Sequence, residues 1–182
     1  MHCTPSPTDP EQLLTIDWAR SPAAAAANLP INTSLVAVAG HSMGGQATLF
    51  SAAYNATSHR IKAAALHHAF THEYPAIPSI PHLIFTGTDD TTAPPYMANN
   101  IFNAKGAFPS RGLLNKAGAK HDEPGGSDGG ESWVFYVCCM HEIYVVAPAC
   151  LFSRGYTAVI KGGVLPTSKM CHALSLLRIL LC

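Results

Sequence analysis

One serine, set between two runs of opposite character, constrains this chain more than any other feature. Ser34-Leu35-Val36-Ala37-Val38-Ala39 is a short apolar run of strand length. Gln46-Ala47-Thr48-Leu49-Phe50-Ser51-Ala52-Ala53 is a run of helix-compatible residues. Between them Gly40-His41-Ser42-Met43-Gly44-Gly45 has to reverse the chain within six residues. So sharp a turn holds its central residue in a sparsely populated backbone conformation and lifts the Ser42 hydroxyl clear of the sheet. The residues two before and two after are expected to come too close together for a Cβ, hence glycine at 40 and 44. The following helix directs its positive end at any anion that develops beside the serine.

The same five-residue pattern recurs at Gly125-Gly126-Ser127-Asp128-Gly129. No apolar strand precedes that copy and no comparable helix former run follows it, so it reads as a loop. A nucleophilic serine needs a base to take its proton and an acid to orient the base. Downstream of Ser42, strands are expected at 61–66 and 82–86. Gly87-Thr88-Asp89-Asp90 comes directly off the second of these, where an acid would stand. A helix is expected from Pro95 to Ala104, then a short strand at 113–117, and beyond it the loop Gly118-Ala119-Lys120-His121.

The chain contains 10 histidines, so the base has to be chosen among them. His121 follows the last strand in a glycine-flanked loop and is the expected base. His67 and His68 end the 61–66 strand and are expected to line the pocket. His68, His72 and Glu73 have a spacing that resembles a metal-ligand set, but they follow a strand and adjoin Pro75, so no metal is expected there. His41 is expected inside the turn, and the remaining histidines on the surface.

Taken together, residues from about 11 to 123 resemble the second half of the bacterial cutinase and poly(ethylene terephthalate) hydrolase family of α/β-hydrolases, related to dienelactone hydrolases and chlorophyllases. The resemblance rests on Val36–Gly45, Ile61–Ala65, Pro81–Gly87, Asp90-Thr91-Thr92-Ala93-Pro94 and Ala117–His121, in that order. It implies an α/β fold, a partial α/β-hydrolase with a mainly parallel sheet and flanking helices, whose N-terminal strands would precede residue 1. It implies Ser42 as nucleophile, His121 as general base and Asp90 as orienting acid, with Asp89 a competitor because the loop is one residue short. The Met43 backbone N–H would form one half of the oxyanion hole. His41 and Phe70 would border the substrate pocket, Phe70 being equally compatible with a core aromatic. The reaction implied is ester hydrolysis through an acyl-enzyme, with no cofactor or metal, on a small-molecule or polymeric ester. An extracellular location follows from the resemblance alone.

Composition narrows the classes further. A formal net charge of +0 with only 12% charged residues offers no basic face for nucleic acid. Met1-His2-Cys3-Thr4-Pro5-Ser6-Pro7 lacks the pattern of a signal peptide. Thr8-Asp9-Pro10-Glu11 reads as a helix start, and Ala23–Ala27 as a short helix or linker. Residues 1–124 are therefore expected to form the hydrolase-like unit, and 125–182 an atypical apolar tail of uncertain structure. The run Glu131–Phe152 is long enough to span a membrane, but His141, Glu142 and Pro148 argue for buried strands or a poorly folded segment instead. Five of the six cysteines lie in that tail, so they do not report a redox compartment. Asn32-Thr33-Ser34 and Asn55-Ala56-Thr57 match the glycosylation sequon.

A second reading belongs to a different class. The loop that supplies the other oxyanion donor would lie ahead of residue 1, and one such donor is worth about 2.7–4 kcal/mol in the transition state. The alternative is then a hydrolase-derived fragment that is weakly active or inactive and at most binds an apolar ligand.

Overall fold

The computed structural model describes residues 11–28, 32–34 and 36–123, and the backbone of 156–161. The elements in chain order are α1 (Glu11–Ala19), α2 (Pro22–Ala26), β1 (Val36–His41), α3 (Met43–Asn55), β2 (Ile61–His67), β3 (His82–Gly87), α4 (Pro95–Phe102), β4 (Arg111–Lys116) and β5 (Tyr156–Lys161). The sheet runs in the order β1-β2-β3-β4-β5. Strands β1 to β4 are all parallel, whereas β5 pairs antiparallel with β4. Four parallel strands with flanking helices make this an α/β arrangement.

Burial explains which segments became interior strands. Every residue of β3 is buried, as is every residue of β2 except Lys62. Such two-sided burial is what a parallel strand covered on both faces requires. In β1 only Val38 is buried, in keeping with its place at the edge of the described sheet. Leu49, Phe50 and Ala52 of α3 join Val38, Ile61, Leu66, Ile84, Ile101, Phe102 and Leu113 in one apolar core. Fully burying a leucine or phenylalanine contributes roughly 1.5–3 kcal/mol, so this cluster supplies much of the stability of the unit.

Helix α1 is tied to the sheet by polar contacts as well as by Ile16. The Gln12 side-chain amide donates to the Ala39 carbonyl of β1 (3.1 Å) and to Thr48 Oγ1 of α3 (2.8 Å). The Arg20 guanidinium donates to the carbonyls of His59 (2.8 Å) and Thr33 (3.2 Å). Ser21 caps α2, which opens on Pro22.

Two expectations are corrected or extended here. His82 is not a surface histidine: it opens β3 with 1% exposure and bonds the Ile80 carbonyl through Nδ1 (3.1 Å). Burial drives its pKa down to about 4. Strand β5 was not anticipated, and it joins the tail beyond 124 to the same sheet. The loop at 125–129, the apolar run 131–152, all six cysteines and the helix start at residues 8–10 lie outside the described residues. Among the described residues no helix is long and apolar enough to cross a membrane.

Candidate active site

Each of the four parallel strands delivers one polar side chain to the same edge of the sheet. Ser42 follows β1, His68 follows β2, Asp90 lies in the loop after β3, and His121 in the loop after β4. Carboxyl ends of parallel strands are the usual place for a site in an open α/β sheet. The four side chains form a continuous chain of hydrogen bonds. His121 Nε2 stands 2.8 Å from Ser42 Oγ, and His121 Nδ1 stands 2.9 Å from Asp90 Oδ2. That same Asp90 oxygen lies 2.6 Å from His68 Nδ1.

The turn that carries Ser42 is built as its sequence suggests, with one change of detail. Ser42 adopts φ 58°, ψ −121°, a strained conformation costing on the order of 1–3 kcal/mol. Its N–H donates to the His67 carbonyl (3.1 Å), and its carbonyl accepts from the Phe70 N–H (3.0 Å). Those two bonds staple the turn to the exit of β2. A Cβ on Gly40 would meet the Gly44 carbonyl oxygen at 2.1 Å, so glycine is obligatory there. At Gly44 the same atom would meet nothing within 4 Å. The second obligatory glycine is instead Gly45, where a Cβ would lie 2.8 Å from Ala69 Cα.

Gly87 plays a comparable part for His121. A Cβ there would lie 2.2 Å from the Ala119 carbonyl oxygen. The Asp89 N–H donates to that carbonyl (3.0 Å), and Gly118 N–H donates to Thr88 Oγ1 (2.8 Å). The 117–120 loop therefore crosses the end of β3 in direct contact, which sets His121 over Asp90.

Of the two adjacent acids, only Asp90 reaches the histidine. It is 2% exposed, and its Oδ1 accepts from the backbone N–H groups of Thr92 (2.9 Å) and Ala93 (2.7 Å). Burial pushes its pKa up, but the hydrogen bonds from His121, Ala93 and His68 outweigh burial and hold it below the usual aspartate value. Asp89 is exposed and accepts only from Thr88 Oγ1 (2.8 Å).

The other expected site residues sort as follows. Met43 opens α3, so its N–H points out of a helix N-terminus beside Ser42. Phe70 is half-buried and reaches Ser42 through its backbone, while its ring stands edge-on to His72 at 5.3 Å. His41 is half-buried at the end of β1. Its Nε2 bonds the His121 carbonyl at 2.7 Å, and the two rings lie 4.7 Å apart, so it braces the loop that carries His121. His67 and His68 lie deeper, each 2% exposed. His67 stacks on Phe85 (5.1 Å) and on His68 (4.9 Å), and burial together with the neighbouring histidines drives its pKa to about 3.

His72 and Glu73 are exposed while His68 is buried against Asp90, so the spacing at 68, 72 and 73 does not converge. Two other sets, His67–His68–Glu123 and His68–Asp90–His121, bring ligand atoms within 4.8 Å of one another. In the second set the Asp90 oxygen already accepts from both imidazoles, and in the first Glu123 accepts from Lys116. In each set at least one member is thus already engaged in a hydrogen bond.

The bond from His68 to Asp90 was not foreseen from the sequence. Its only signal was a paired histidine at a strand end, one face of which had to turn back toward the next loop. Chemically, an acid that accepts from His121 Nδ1–H leaves Nε2 with its lone pair toward the serine hydroxyl, the arrangement needed for acyl transfer. Neither the family models nor the curated proteins compared with this chain gave a match.

Proposed function

We propose that this chain is a serine carboxylic-ester hydrolase of α/β-hydrolase type. The observation that carries the reading is the unbroken run Ser42 Oγ to His121 Nε2 to Asp90 Oδ2, at 2.8 and 2.9 Å. The strained turn at Ser42 and the chain order serine, acid, histidine support it.

In this mechanism Ser42 Oγ attacks the ester carbonyl as His121 Nε2 takes its proton. The tetrahedral oxyanion forms beside the Met43 N–H at the start of α3. It collapses with departure of the alcohol, which receives the proton from His121. Water, deprotonated by His121, then attacks the acyl-serine and releases the acid. Asp90 stays ionised throughout and stabilises the imidazolium that forms twice. The cutinase resemblance points to short or medium acyl esters, polyesters among them.

Two measurements test this. A fluorophosphonate probe should label Ser42, and Ser42→Ala should abolish both labelling and hydrolysis of p-nitrophenyl butyrate. Intact, monodisperse protein that neither takes the probe nor hydrolyses the ester would overturn the reading in favour of a non-catalytic, apolar-ligand-binding unit.

A further inference from the structure

We propose that His68 is a positioning residue for the acid, a second imidazole that holds Asp90 Oδ2 in place for His121. The inference rests on the esterase reading above and adds a fourth member to its hydrogen-bond chain.

Asp90 is saturated with donors. Oδ1 accepts two backbone N–H groups, and Oδ2 accepts from both His68 and His121. A carboxylate offers about four acceptor positions, and all are filled. A protonated carboxyl would have to donate, which would force one of the two imidazoles into the tautomer that presents Nδ1 as an acceptor. The network therefore favours the anion. It also fixes the direction of each lone pair, since the two oxygens are held from different elements.

His68 is built for this contact at the expense of its own backbone. Its φ is 45°, in the left-handed region that a histidine rarely occupies. Its N–H bonds the Phe85 carbonyl of β3 (2.9 Å), and its ring stacks on His67. With the backbone tied to β3 and the ring stacked on His67, Nδ1 is directed toward Asp90. Burial lowers the pKa of His68 against the opposing pull of Asp90, so it approaches the acid as a neutral imidazole. Because the carboxylate can only accept, the proton of that imidazole sits on Nδ1. The ring meets His121 edge-on, 6.0 Å between centroids.

The groups facing His68 set the sign of its effect on pH dependence. They are Asp90 from the β3 loop, His121 and Glu123 from the β4 loop, His41 from β1, and His67 on its own strand. A donor at Oδ2 disperses the charge that His121 sees. Removing it concentrates that charge on His121, so the acidic limb of the rate profile should move to higher pH.

The test compares His68→Ala with His68→Asn in the full chain, using p-nitrophenyl butyrate. An asparagine amide nitrogen stands as many bonds from the backbone as the histidine Nδ1, and asparagine tolerates positive φ. His68→Ala should lower kcat by about tenfold to a hundredfold with KM nearly unchanged, as expected for loss of one charge-assisted hydrogen bond. It should also raise the acidic limb. His68→Asn should recover kcat to within about threefold of the wild type, the bond being remade. Should His68→Ala fail to fold, His68→Gln, with its amide one bond further out, takes its place with the same expected loss. A labelled, active wild type in which His68→Asn is no better than His68→Ala, or in which neither differs from the wild type, overturns the positioning role alone. A wild type that neither labels nor turns over overturns the esterase reading and this role with it.

Discussion

Replacing Asp90 by asparagine should do more than remove a charge. The Thr92 and Ala93 N–H groups are fixed in the backbone and require an acceptor, so the amide oxygen must face them. The amide NH2 then faces His121 Nδ1 and His68 Nδ1, where each imidazole now presents a proton. Donor meets donor, and His121 can resolve the conflict only by moving its proton to Nε2. In that tautomer it can no longer accept from Ser42 Oγ. The loss can be sized in two ways. Two charge-assisted hydrogen bonds at about 1.5–3 kcal/mol each amount to roughly 3–6 kcal/mol. The corresponding change in serine proteases lowers kcat by about 10⁴, or roughly 5.4 kcal/mol. Asp90→Asn should therefore lose about a thousandfold to ten-thousandfold in kcat on p-nitrophenyl butyrate, with fluorophosphonate labelling slowed in parallel. The fold should survive, because the new tautomers remake each hydrogen bond with reversed polarity. Exposed Asp89, changed to asparagine, should stay within about threefold of the wild type. A tenfold or smaller loss for Asp90→Asn, or an equal loss for Asp89→Asn, would refute this account.

Two further outcomes are expected. Gly87→Ala should cut hydrolysis severely although residue 87 touches neither the serine nor the base, because its Cβ would collide with the Ala119 carbonyl and lift the loop bearing His121; unchanged turnover would show that loop to be compliant. Acid should unfold the protein early. The folded pKa values of His67 and His82, about 3 and about 4, lie below the ordinary value of 6.5, so the unfolded chain binds more protons across that window. Their stabilisation is complete above about pH 6.5 and drains away as pH falls, with His82 alone costing on the order of 3 kcal/mol by pH 4. Asp90, whose folded pKa is lowered, adds stability that is present above the ordinary aspartate range and lost as pH drops through its folded value. Urea midpoints at about pH 7.5 and pH 4.5 should differ accordingly, and His82→Phe should narrow the gap; equal midpoints would count against buried neutral imidazoles.

Much of the site was legible because parallel strands announce themselves by unbroken apolar runs. The expected strands at 61–66 and 82–86 differ from β2 and β3 by one residue at their ends. Choosing between Asp89 and Asp90 needed more than order. The deciding contact, Oδ1 to the N–H groups of Thr92 and Ala93, is local turn chemistry that residues 90–93 already contain. Gly45 could not be singled out from Gly44, because its neighbour Ala69 comes from another strand's exit and not from the turn itself. His68 stayed hidden for a similar reason. No periodicity reports a left-handed backbone or a partner 22 residues away, and a histidine at the end of an alanine-rich strand looks like ordinary pocket lining. Strand β5 escaped notice because the more apolar stretch ahead of it drew the expectation of strands.

Drawing one member of the hydrogen-bond chain from each of four neighbouring strands ties chemistry to alignment of the whole sheet. A slip of any strand by two residues would carry its side chain about 6.6 Å along the sheet, while a hydrogen bond tolerates only a few tenths of an ångström. Under the proposed esterase reading, turnover is then a vernier for the stacking of β1 through β4. Under mild denaturant it should vanish while far-ultraviolet ellipticity is still intact, as soon as the least secure ribbon begins to slide.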